Sequence, residues 1–187
     1  MVERWSTGDE QAGVPYLNEA LGYVLEATLP PGRSDVFIRI ETPDPMVLEV
    51  RLLSPLAAGD LAQVERYSYG FLYGFLFSLA TYNLMLFLGM RRWPSLYYAV
   101  YLLSFIALNL CYTGRGLVWL WPDSPYLQRY VILTFIVLVP CTGLRFAREF
   151  LELDQRTPRL ARIVALFYWL APLLLGLAIV TNQHAVA

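Results

Sequence analysis

The 22 residues from Tyr69 to Met90, YGFLYGFLFSLATYNLMLFLGM, contain no Asp, Glu, Lys, Arg or His, and they end against Arg91-Arg92. A hydrocarbon core about 30 Å thick takes roughly 20 apolar residues in helical form, so this run can cross a bilayer. Two arginines at one end assign that end to the cytosol by the positive-inside rule. The alternative, a buried helix of a soluble protein, is disfavoured because similar runs recur downstream. The apolar fraction of 57% and mean hydropathy of +0.47 also exceed those of an ordinary soluble domain.

Before this run the sequence has a different character. Residues 1–66 hold eleven acids and five arginines, whereas residues 67–187 hold four acids and nine arginines. Residues 1–18 show no period. From Leu21 to Leu29 apolar residues alternate with polar ones, and Asp35–Thr42 and Met46–Leu52 alternate again, separated by Pro30-Pro31-Gly32 and Pro43-Asp44-Pro45. Such alternation predicts antiparallel strands with one face on a core. Three short strands cannot close a two-layer core, so they read as the last strands of a β-sandwich. Pro55–Arg66 reads as a linker to the membrane.

After Arg91-Arg92, three more apolar runs follow. The expected architecture is a membrane all-α helix bundle of four transmembrane helices (about 69–90, 95–112, 130–146 and 163–180, within a membrane domain of 67–187). A partial antiparallel β-sandwich in 1–54 and the linker at 55–66 precede it. Arg91, Arg92, Arg145, Arg148, Arg156, Arg159 and Arg162 fall in two connectors, and the remaining connector holds Arg115 and Arg129, near Asp123. This bias places both termini outside the cytosol. Trp119, Trp121 and Tyr126 in the outer connector suit the headgroup zone. No signal peptide opens the sequence, although the first 66 residues are expected to be exported. The expectation is therefore an internal piece of a longer chain or a displaced start.

Chemistry-bearing residues are sparse. One histidine, His184, and the two cysteines Cys111 and Cys141 supply no metal-ligand spacing, and no nucleophile–base arrangement is present. No catalytic, cofactor-binding or metal-binding residue is assigned, no cofactor is expected, and ligand residues stay unknown. Basic residues sit at membrane edges rather than in a separate patch, so no nucleic-acid partner is expected. Asn83 and Asn109 are costly to bury in lipid and are expected to hydrogen-bond between helices. Gly70 and Gly74 form a small-xxx-small step, and Arg148 and Glu152 are four apart on a helical extension of the third span. Pro140 is an expected kink.

The run YGFLYGFLFSLATYNLMLFL, the arginine turn, LYYAVYLLSF, Gly114 and Gly116 before LWP, and RFAREFLEL together resemble the membrane region of bacterial seven-transmembrane receptors with diverse intracellular signalling modules. Residues 20–54, with PPG and VFIRIET, are similar to the end of the extracellular domain that precedes that region. The resemblance implies a periplasmic β-sandwich like a carbohydrate-binding module, seven helices, and a cytoplasmic output such as a diguanylate cyclase or histidine kinase. The expected role is that of a receptor in the bacterial inner membrane, multi-pass, with a periplasmic N-terminal region. It would sense a small-molecule or carbohydrate ligand outside and transmit to an output domain beyond this chain, with a homodimer among its assemblies. The chain itself is not expected to be an enzyme. A transporter or channel component and a membrane anchor subunit are the alternatives; the first would require polar residues along a path or broken helices, for which Pro140 and Pro172 are the candidates.

Overall fold

Six helices follow a small N-terminal hairpin in the computed structural model, which describes residues 6–7, 16–28, 30–40, 50–122 and 124–181. The hairpin pairs β1 (Leu17–Asn18) with β2 (Gly22–Tyr23), antiparallel, with Leu17 opposite Tyr23 and Asn18 opposite Gly22. Asn18 closes its turn by accepting the Ala20 and Leu21 amides on Oδ1 at 2.9 and 3.2 Å. Gly22 takes φ +76°, a left-handed conformation for which glycine carries no Cβ penalty.

The remaining strands expected upstream of the membrane run are not formed among the described residues. Residues 24–28, 30–40 and 50–54 have no strand, and residues 29 and 41–49, which hold the end of the second expected strand and most of the third, lie outside the described residues. Val36, Phe37 and Ile38 are exposed, Phe37 at 94%. Alternation marks a face able to pack, but a strand needs a neighbour for its backbone and a layer over that face. Among the described residues neither is present for residues 30–40. Among the described residues the sheet is this two-stranded hairpin, and the partial sandwich is not confirmed.

Helix α1 (Pro55–Met90) is continuous for 36 residues and at ~1.5 Å per residue measures about 54 Å. Ser54 caps it by accepting the Ala57 amide, and Pro55 fits the first turn, where its missing N–H has no partner to lose. The stretch expected as a linker is thus the first turns of α1, and Gly59 does not interrupt it. The helix ends at Arg91, which adopts φ 54° and returns its amide to Phe87. Trp93 then meets Phe87 in a tilted ring contact at 5.3 Å as α2 (Trp93–Tyr112) begins.

A short α3 (Arg115–Trp119) leads to α4 (Pro125–Phe150), α5 (Leu153–Arg156) and α6 (Pro158–Thr181). Helix α2 packs against α1 and α4, and α6 packs against α4. Four helices are long and apolar enough to cross a membrane: Pro55–Met90, Trp93–Tyr112, Tyr130–Phe150 and Pro158–Leu177. These reproduce the four expected spans, the first extended at its start. Most of their large apolar side chains face outward, including Phe71, Phe75, Leu88, Phe167 and Trp169, as lipid-facing helices require.

Small residues set one close approach. A Cβ on Gly143 of α4 would lie 3.3 Å from the Tyr101 ring of α2, whereas Gly70 and Gly74 have open space where a Cβ would stand. The glycine pair noticed in the sequence is not the one used for helix contact. Pro140 and Pro172 sit inside α4 and α6.

Candidate functional site at the hairpin end of the bundle

Polar chemistry collects at the two ends of the bundle. At the arginine-rich end, Arg145 donates to the Tyr97 hydroxyl at 3.1 Å and pairs with Glu149 at 3.5 Å. Arg148 forks onto Asp154, with its closest contact at 2.7 Å, and donates to the Tyr168 hydroxyl of α6 at 3.0 Å. Those hydrogen bonds hold the Asp154 carboxyl below the usual carboxylate range. The expected Arg148–Glu152 pair does not form: α4 ends at Phe150, and Glu152 turns left-handed at φ 50° and meets Arg156 instead. Four-residue spacing brings side chains together only while the helix continues. Beside this cluster, Leu96, Tyr97, Val100, Cys141, Thr142 and Arg145 line an open groove of about 320 Å³ between α2 and α4.

The opposite end carries the N-terminal hairpin. Leu17 lies against Gly114, where a Cβ would meet its methyls at 3.7 and 3.9 Å. From the hairpin turn, the Glu19 carboxylate accepts the Trp119 indole N–H at 2.8 Å and pairs with Arg66 of α1 at 3.0 Å. One acidic side chain thus ties the hairpin, the protruding part of α1 and the α2–α4 connector. Below it, the Arg115 guanidinium lies 3.6 Å from the centre of the Tyr69 ring, and Tyr69 packs on Tyr73 at 5.8 Å. The Tyr73 hydroxyl donates to Asn109 Oδ1 across the α1–α2 interface at 2.7 Å. Gln128 accepts the Trp121 indole N–H and donates to the Cys111 carbonyl, which fixes the connector on α2 and α4.

Of the two asparagines singled out in the sequence, Asn109 does bond between helices, and Asn83 donates to the Leu79 carbonyl of its own helix. Back-bonding satisfies one donor of this half-buried amide without a partner helix. Cys111 and Cys141 are free thiols, buried and half-buried. Among the described residues no three His, Cys, Asp or Glu side chains come together as metal ligands. The sequence places Trp119 in the headgroup zone but points to neither Glu19 nor Arg66 as its partner. Glu19 and Trp119 stand 100 positions apart, and nothing in the local pattern around either points to the other.

The family model for 7TM diverse intracellular signalling matches residues 65–187. No curated protein and no solved structure gives a match. The matched stretch takes in α1 from Glu65 onward, the other three apolar helices, both arginine-rich connectors and the connector that receives the hairpin. That family is one of membrane receptors rather than of catalysts. The chain is a multi-pass membrane protein that belongs to the 7TM diverse intracellular signalling family.

Proposed function

We propose that this chain is the membrane-embedded part of a receptor that senses a ligand on the non-cytoplasmic side and transmits to an output on the cytoplasmic side. The observation that carries the reading is the Glu19 contact, which joins the N-terminal hairpin to α1 and to the α2–α4 connector. A receptor must couple two arrangements of its helices to events outside the membrane. A stiff connection suits that task, and α1 runs unbroken from Ser54, at the foot of the N-terminal region, to the arginine turn. A flexible linker would let the two ends decorrelate. The orientation proposed puts the hairpin in the bacterial periplasm and the seven arginines Arg91, Arg92, Arg145, Arg148, Arg156, Arg159 and Arg162 at the cytoplasmic face.

Two measurements test this. Reporter fusions after Arg92 and after Arg159 should be cytoplasmic, and one after Asp123 periplasmic. For coupling, Glu19→Cys and Arg66→Cys are bridged by a short reducible dithiol crosslinker in a background with Cys111→Ala and Cys141→Ala. Hydrogen exchange is then read at Arg91–Arg92 and Leu151–Thr157 with the bridge intact and reduced. A difference at that far end is expected. Identical exchange in both states, or a periplasmic reporter at Arg92, refutes the reading.

A further inference from the structure

Arg66, Arg145, Arg148 and Arg156 each face a carboxylate. Arg115 faces none among the described residues, although it is only 4% exposed. Its side-chain partner among the described residues is the face of Tyr69, with the guanidinium carbon 3.6 Å from the ring centre. A tyrosine face attracts the cation but leaves the five N–H donors in the guanidinium plane unused. Among the described residues no fully buried side-chain nitrogen lacks a hydrogen-bond partner. The side-chain nitrogens of Arg115, which donate to no described residue, therefore keep some accessible surface.

We infer that Arg115, seated on Tyr69 at the hairpin end of the bundle, is an anchor for a small oxyanion. A charge withdrawn from water calls for an opposite charge or a full set of hydrogen bonds. A planar fork of donors matches a carboxylate or a phosphate through two parallel hydrogen bonds. Among the described residues no side chain accepts a hydrogen bond from the Arg115 guanidinium. Glu19 is committed to Trp119 and Arg66, and Asn109 receives the Tyr73 hydroxyl on its oxygen. The Tyr69–Tyr73 pair then links the anchor to the α1–α2 interface, so an anion at Arg115 would bear directly on the packing of those two helices. The oxyanion has two possible sources, a free solute or the phosphate of a lipid headgroup, because Arg115 follows the apolar span Trp93–Tyr112 by three residues.

The experiment is arginine modification by phenylglyoxal, read residue by residue by mass spectrometry on the unmutated chain. It is run in phospholipid-free maltoside detergent with inorganic phosphate titrated against chloride at constant ionic strength, and again in phosphatidylglycerol nanodiscs. Bound anion slows modification by a factor of 1 + [L]/Kd, about elevenfold at ten times Kd. Arg115 should be protected while exposed Arg33 is not. Protection by free phosphate in detergent identifies a solute site, and protection in nanodiscs alone identifies a lipid phosphate. In the solute case, phosphate should raise the Tm of the wild type, raise it less for Arg115→Lys, and leave Arg115→Gln unchanged. Equal modification of Arg115 under every condition overturns the inference and leaves its contact with Tyr69 as packing alone.

Discussion

Removing the Glu19 carboxylate should free the hairpin without unfolding the bundle. The indole hydrogen bond from Trp119 is made to an ionised acceptor, a class that contributes about 1.5–3 kcal/mol, with the low end fitting the half-exposed Trp119 here. The Arg66 pair, with side-chain exposures of 55% and 29%, is screened by solvent and adds about 0.5 kcal/mol. Glu19→Ala should thus cost about 2 kcal/mol of docking, which raises the opening constant of the hairpin about 30-fold. Two strands of two residues have little stability of their own, so the loss falls on local opening. The assay is amide hydrogen exchange at Val24, whose N–H donates to the Tyr16 carbonyl at 2.8 Å. Glu19→Gln, which keeps an acceptor for Trp119 but drops the charge, should accelerate Val24 by only about threefold. If Val24 in the Ala variant exchanges within twofold of the wild type, the three-way contact does not hold the hairpin. Equal acceleration throughout α2 would show that Glu19 supports the bundle rather than the docking.

Other expectations concern packing and charge. Gly143→Ala should lower thermal stability by about 1–3 kcal/mol because the new methyl presses on the Tyr101 ring, and Gly74→Ala, with open space at its Cβ, should raise it by up to about 1 kcal/mol. The reverse order in melting experiments would refute the assigned interface. Asn109→Leu should weaken α1–α2 packing by about 1 kcal/mol through loss of the Tyr73 hydrogen bond, while Asn83→Leu leaves helix association nearly unchanged. Asp154 is held ionised by Arg148, so its folded pKa lies below its unfolded one. The stabilisation is complete above the unfolded value and is lost as pH falls through the folded one. The opening constant at Leu151–Thr157, from hydrogen exchange corrected for the intrinsic rate at each pH, should therefore rise on acidification in the wild type and show less pH dependence in Asp154→Asn; equal pH dependence in both would refute the pairing.

The membrane helices were legible from residue order because lipid imposes a one-dimensional requirement. An apolar run of sufficient length must be helical to satisfy its backbone, and arginines must stay at its ends, so Tyr69–Met90 and Arg91-Arg92 determine a span and its limit by themselves. Family membership followed from the order of such runs along the chain. Strand formation is different in kind, since alternation in Asp35–Ile40 describes a face and says nothing about whether a partner covers it. The same holds for which of several glycines meets a neighbour: Gly143 does and Gly74 does not, because only the relative rotation of packed helices decides it. The hairpin-end cluster lay furthest from view. Glu19, Arg66 and Trp119 meet, and Arg115 settles on Tyr69, only once α1, α2 and the connector stand side by side, and long-range contacts between polar side chains have no period to betray them.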